Sequence, residues 1–157
     1  MKRNLSLRLL ALSISLLLGS LPLQAAERPF AFSGSGTATF ITDAAGNVIG
    51  ANVTASGTAT YLGLWSAAGT VHFTPDPNNP GRLLSSANMA FVAANGDRLQ
   101  VMLNGNLDPA AGADMGILQF VGGTGRFVAA SGFGHFMVEL NPATGAFKTT
   151  AVATINF

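Results

Sequence analysis

The chain has 157 residues, with eight basic and seven acidic side chains, a formal net charge of +1 and no cysteine. Disulfides, cysteine nucleophiles and thiolate metal sites are thereby excluded. Lys2, Arg3 and Arg8 carry the positive excess; from Glu27 onward five basic residues meet seven acidic ones, a net −2, which offers no basic face to a nucleic acid.

The first element is a leader. Lys2-Arg3 precedes a mostly apolar run from Leu9 to Leu18, then Gly19, Ser20 and Pro22, and Leu23-Gln24-Ala25-Ala26 closes the segment with small residues. A positive start, an apolar middle and a small-residue exit describe a cleaved secretory signal peptide. The apolar run is shorter than the about 20 residues a bilayer span needs. The expected organisation is a signal peptide over 1–25 and one domain over 26–157, exported to the periplasm or the exterior. About 130 residues suffice for a single domain held by core burial alone.

Period two dominates the rest. Phe30, Phe32, Gly34, Gly36, Ala38 and Phe40 share one face, against Ala31, Ser33, Ser35, Thr37 and Thr39 on the other. Such alternation marks a strand with one buried face. After a turn at 43–47, Val53, Ala55, Gly57, Ala59 and Tyr61 repeat the pattern. Gly63 alone separates them from a third set, Trp65, Ala67, Gly69, Val71 and Phe73. The loop at 74–81 holds three prolines, which cannot donate to a ladder.

Ala87, Met89, Phe91 and Ala93 form a fourth set, followed by the hairpin dipeptide Asn95-Gly96. Leu99, Val101, Leu103 and Gly105 form a fifth. A loop with Pro109 and Gly112 leads to a sixth strand over Gly116–Val121, and a seventh run covers Phe127–Leu140. After a turn at 141–145, Phe147, Ala151, Ala153, Ile155 and Phe157 complete the set.

About eight short strands with regular turns, and no helical periodicity after the leader, point to an all-β sandwich or barrel. A single antiparallel closed barrel is favoured. Large inner residues bracket tiny ones, and small inner residues relieve crowding where strands bend. Closure also removes exposed edges.

Residues 120–134 read FVGGTGRFVAASGFG. Through Gly122, Gly123, Thr124, Gly125, Arg126, Phe127, Ala130 and Gly132 this segment resembles the motif of dirigent proteins and of exported bacterial relatives, all of the allene oxide cyclase-like barrel type. A weaker likeness runs through 94–97 and the last strand. The resemblance implies an eight-stranded barrel with an apolar cavity. Dirigent proteins steer the coupling of phenoxy radicals made by a separate oxidase, and allene oxide cyclases steer closure of an unstable epoxide, so the implied chemistry is positioning. The motif itself reads as structural: its glycines permit turn geometry, and Arg126 is placed to hydrogen-bond across the turn. No position here matches the families' functional carboxylates.

Candidate chemistry is sparse. His135 and Glu139 share a strand face opposite Phe136, Val138 and Leu140; the apolar set favours an outward reading for them, as for His72, over the alternative of an acid–base pair lining the cavity. No metal site is expected, since three or four convergent ligands are lacking, and no cofactor is implied. Neither a nucleophile elbow nor a phosphate loop is present. Phe32, Phe40, Tyr61, Phe73, Met89 and Phe91 are the candidate cavity-lining residues, on inferred inner faces. Eight-stranded barrels are either filled or hold one small ligand, and the sequence leaves that open.

Three readings follow: an exported barrel that binds a small apolar molecule without catalysis of its own; a dirigent- or cyclase-like protein that steers a reactive apolar substrate; and a small outer-membrane barrel. Against the last, one Trp and one Tyr are poor material for two aromatic girdles. Self-association into a homo-oligomer is a further expectation, drawn from the related families.

Overall fold

The alternating runs become strands because each has one face able to leave water. The computed structural model describes residues 26–157, and the leader read in 1–25 lies outside them. Eight strands follow in chain order: β1 Arg28–Thr42, β2 Val48–Ala59, β3 Gly63–Pro75, β4 Leu83–Ala93, β5 Arg98–Asp108, β6 Ala113–Gly123, β7 Ser131–Leu140 and β8 Ala146–Asn156. Each pairs antiparallel with its neighbour in sequence, and β8 returns to β1, closing the barrel expected from the alternation.

Tiny residues on β1 make the closure possible. A Cβ on Gly34 would lie 2.6 Å from the Trp65 ring, and one on Gly36 would lie 2.7 Å from the Phe147 ring. These two glycines are the space into which the large rings of β3 and β8 fold.

The two ends of the barrel differ. At the end where β1 begins, Phe30, Phe120, Phe127, Leu99, Leu118, Ile155 and Val101 are almost wholly buried. Side chains of this size each contribute about 1.5–3 kcal/mol on burial. Towards the other end Phe40, Val53, Val71, Leu103, Val138, Leu140 and Phe147 face inward yet stay half-buried. One half of the barrel is filled and the other is hollow.

Three boundaries differ from the expectation. β6 starts at Ala113, not Gly116, because pairing continues through Leu107↔Asp114 and Asp114↔Val138. The run expected over Phe127–Leu140 is divided: Gly125–Phe127 forms a 3-10 turn, and β7 begins only at Ser131. Tyr61, expected to continue the inner face of β2, sits in the β2–β3 turn with φ +65°.

The outer wall is two-sided. On β1 and β2 it carries Ser33, Ser35, Thr37 and Thr39, then Asn52, Thr54, Ser56 and Thr58, all exposed. Lipid requires an apolar belt all round, and this wall does not supply one.

Candidate functional site

The GGTGRF segment closes the filled end. The Thr124 backbone N–H donates to the Arg98 carbonyl (2.8 Å), and the Arg98 N–H donates to Thr124 Oγ1 (2.9 Å), which ties the segment to the start of β5. Gly122 and Gly125 take φ of +99° and +57°, a region that favours glycine. The tight turn that follows drops Phe127 into the barrel end, where it is fully buried. Arg126 donates to the Tyr61 carbonyl of the neighbouring turn, and its guanidinium lies 3.8 Å from Asp97. Tyr61 packs edge-on against Phe157 (5.3 Å between ring centres), and Phe127 packs on the same ring. The motif is a plug.

With that end shut, the cavity lies in the other half of the barrel, on the side of the loops at 43–47, 76–82, 109–112 and 141–145. Its floor is aromatic: Trp65 and Phe91 are stacked at 4.5 Å, and Phe32 meets both rings edge-on. Its walls are Phe40, Val53, Val71, Phe73, Met89 and Leu103, with Phe136 and Val138 on the far side. The volume open to the centre of a water-sized sphere is about 110 Å³. One water needs only about 10–15 Å³ on that measure, so the space takes a molecule larger than water.

Of the six residues expected to line a cavity, Phe32, Phe40, Phe73, Met89 and Phe91 lie on its wall. Tyr61 does not: its turn carries it to the plugged end, against Phe157. His135, Glu139 and His72 are exposed on the outer wall. Among the described residues no group of three or more His, Asp or Glu side chains converges to hold a metal.

The sequence reading missed the polar part of the cavity. Ser85, Asp114 and Thr149 are buried on its wall, among apolar neighbours. The register sets Asp114 opposite Val138, and Val138 opposite Thr149, so β6 and β8 present these two groups from either side of β7, and Ser85 lines the same space from β4. Gly105 provides the room for two of them: a Cβ there would overlap the Asp114 carboxyl and lie 2.7 Å from Ser85 Oγ. Burial pushes the Asp114 carboxyl above its ordinary range, and the Ser85 hydroxyl offsets part of that rise. A protonated carboxyl in a low-dielectric wall is a hydrogen-bond donor.

Among the described residues, two buried polar atoms on cavity-lining side chains have no hydrogen-bond partner, Asp114 Oδ1 and Trp65 Nε1. Such atoms cost free energy unless something in the site meets them.

No family model matches the chain, and no curated protein sequence is similar to it. Solved structures are. The barrel superposes on the pterocarpan synthase dirigent protein GePTS1 with a TM-score of 0.57 at 15% identity, over 84% of this chain and 91% of that one. The pterocarpan synthase dirigent protein PsPTS1 gives the same TM-score at 16% identity, over 83% and 95%. The fold is dirigent-like. At this identity the likeness covers the path of the backbone, and the contents of the dirigent-like barrel have to be read from its own residues.

Proposed function

We propose that this chain is an exported dirigent-like barrel that binds one small, largely apolar molecule in its open half, without catalysis of its own. The ligand carries an oxygen acceptor that meets the Asp114 carboxyl. The observation that carries this reading is the pairing of an apolar cavity with one carboxyl, Asp114, on its wall. Apolar walls bind by area, and one or two placed polar groups fix orientation. Burial favours the neutral acid, and a neutral acid donates to a carbonyl or ether oxygen.

The test is native mass spectrometry on the protein purified without detergent from its producing cells. A species heavier than the chain by one small molecule, absent from Asp114→Leu, supports the reading. A ligand-free chain that also takes up no small aromatic ketone argues for a purely structural barrel. A chain that stays in solution only with detergent returns the outer-membrane reading to the front.

One observation favours a second reading, in which the barrel steers a reactive apolar substrate as the dirigent-like fold suggests. Asp114 lies on the cavity wall, where an acid is able to give a proton to a substrate oxygen held in one orientation. Asp114→Asn then abolishes turnover and leaves binding of an apolar probe within a few-fold. Turnover undiminished in that variant rules this second reading out.

A further inference from the structure

We propose that the cavity also accepts a second class of ligand, a small apolar molecule bearing a protonated amine, which Asp114 pairs as a carboxylate. The inference rests on the reading that this half of the barrel binds one small, largely apolar molecule, and it adds a charge to that molecule. Asp114 is the only acidic or basic side chain on the cavity wall. It is 9% exposed, and among the described residues it takes part in no ion pair. A carboxylate buried without a counter-cation is destabilising, and a cation arriving with the ligand relieves it. Aromatic rings border the same space. The Asp114 carboxyl and the Phe136 ring both crowd the empty Cβ position of Gly105, and Trp65, Phe91 and Phe32 form the floor. Aromatic faces attract cations, so rings around one carboxylate suit an ammonium on an apolar stem.

The spread of charge over the barrel supports this independently. Among the described residues, with both His neutral, the half that holds the cavity and its loops carries five acidic and two basic side chains, a net −3. The closed half carries two acidic and three basic ones, a net +1. Arg82 pairs with Asp108 at 3.0 Å, and Lys148 sits opposite Glu139. The excess left is Asp43, Asp76 and Asp114. Asp43 and Asp76 take hydrogen bonds from backbone N–H groups and asparagine amides, which hold both carboxyls below the ordinary range and so ionised. The cavity end of the barrel therefore draws cations and repels anions.

The pH dependence runs opposite to that of an oxygen ligand. A ketone or ether needs the neutral acid. An ammonium needs the carboxylate, and its binding releases the acid's proton to solvent. No other ionisable group faces Asp114. On β5 and β7, which flank it, Asp108, His135 and Glu139 lie on the outer face and Arg98 stands at the closed end. β4 carries no ionisable side chain, and Lys148 of β8 is exposed opposite Glu139. Amine affinity therefore rises with pH through the raised pKa of Asp114, until the amine itself loses its proton near about pH 10.

The test titrates phenethylamine and its hydrocarbon isostere propylbenzene against wild type, Asp114→Asn and Asp114→Leu, following Trp65 emission between about pH 4 and about pH 8. In wild type at the upper pH the amine is expected to bind at least about tenfold tighter than the hydrocarbon, as a charge-assisted hydrogen bond allows, and the preference is expected to shrink as pH falls. Both variants are expected to bind the hydrocarbon within a few-fold of wild type and to lose the preference. If one variant fails to fold, the other decides. Three results overturn this inference and leave the apolar-cavity reading standing: hydrocarbon bound with no amine preference at any pH, a preference that survives in a folded variant, or a preference that grows as pH falls. If neither compound moves Trp65 emission, both readings fall.

Discussion

Gly105 of β5 lies directly beneath the carboxyl of Asp114 on β6, and its missing side chain is the space that carboxyl occupies. A methyl group there would overlap the carboxyl, approach Ser85 Oγ to 2.7 Å and approach Phe136 Cζ to 2.9 Å. All three neighbours are side chains, so they move and the backbone does not. Gly105→Ala is expected to cost about 1–3 kcal/mol, as overpacking does, and to push the carboxyl into the cavity. Chemical denaturation measures the first effect. A loss of affinity for a small aromatic probe measures the second.

The pH dependence follows from the direction of each shift. Burial raises the Asp114 pKa above 3.8, so the folded state holds its proton more tightly than the unfolded chain. The folded state therefore loses stability as pH rises from about 3.8 through the raised value, and Asp114→Asn removes that loss. Asp76 has the opposite sign. Hydrogen bonds from Asn79, Asn78 and Asn106 hold its carboxyl below the ordinary range, so its contribution is present above 3.8 and fades as pH falls through the lowered value. Melting midpoints across pH should show Asp114→Asn gaining on wild type as pH rises, and Asp76→Asn losing ground at neutral pH but not in acid. A gap between wild type and Asp114→Asn that does not change with pH would show that Asp114 is not the desolvated acid described.

The plugged and open halves predict unequal costs for the same substitution. Phe127 is fully buried at the closed end, and Phe127→Ala is expected to cost about 3–5 kcal/mol. Phe40 is half-buried at the cavity mouth and already faces open space, so Phe40→Ala should cost less than half as much. Equal costs in urea denaturation would mean that the open half is as well packed as the closed one.

Filling the cavity separates binding from folding. Ala87 lies on the cavity wall, between Val71 of β3 and Leu103 of β5. Ala87→Leu puts side-chain volume where a ligand would sit. Probe affinity is expected to fall at least about tenfold, with stability changed by less than roughly 2 kcal/mol. Titration and melting on the same sample check both.

The alternation from Phe30 to Phe40, and its repeats, makes the strands, their inner faces and the barrel legible in the sequence. Five aromatic and sulfur-bearing side chains of the cavity wall were readable from parity alone. Asp114 is not, because the strand legible in the sequence starts at Gly116, two residues after it. Carried back two residues, the series Asp114, Gly116, Leu118, Phe120 keeps its period, and the carboxyl falls inside. Ser85 and Thr149 were hidden the same way, as hydroxyls within otherwise apolar sets. Tyr61 misled because it keeps the period of β2 while its backbone has already turned, and the only glycine near the turn is Gly63. Whether the barrel is hollow depends on how strands stagger and tilt, which sets the ring that each side chain joins. No single strand carries that information.

The open half is expected to take a small apolar molecule whose oxygen meets Asp114. Trp65 is the only tryptophan in the chain and forms part of the cavity floor, so its emission reports occupancy directly. The decisive measurement titrates acetophenone and its hydrocarbon isostere α-methylstyrene, at mildly acid pH, against wild type and Asp114→Leu. Both are expected to shift Trp65 emission in wild type, the ketone binding about five- to tenfold tighter, as one hydrogen bond allows, and the preference is expected to vanish in the variant. Emission unmoved by either compound, or a ketone preference that survives Asp114→Leu, contradicts that expectation.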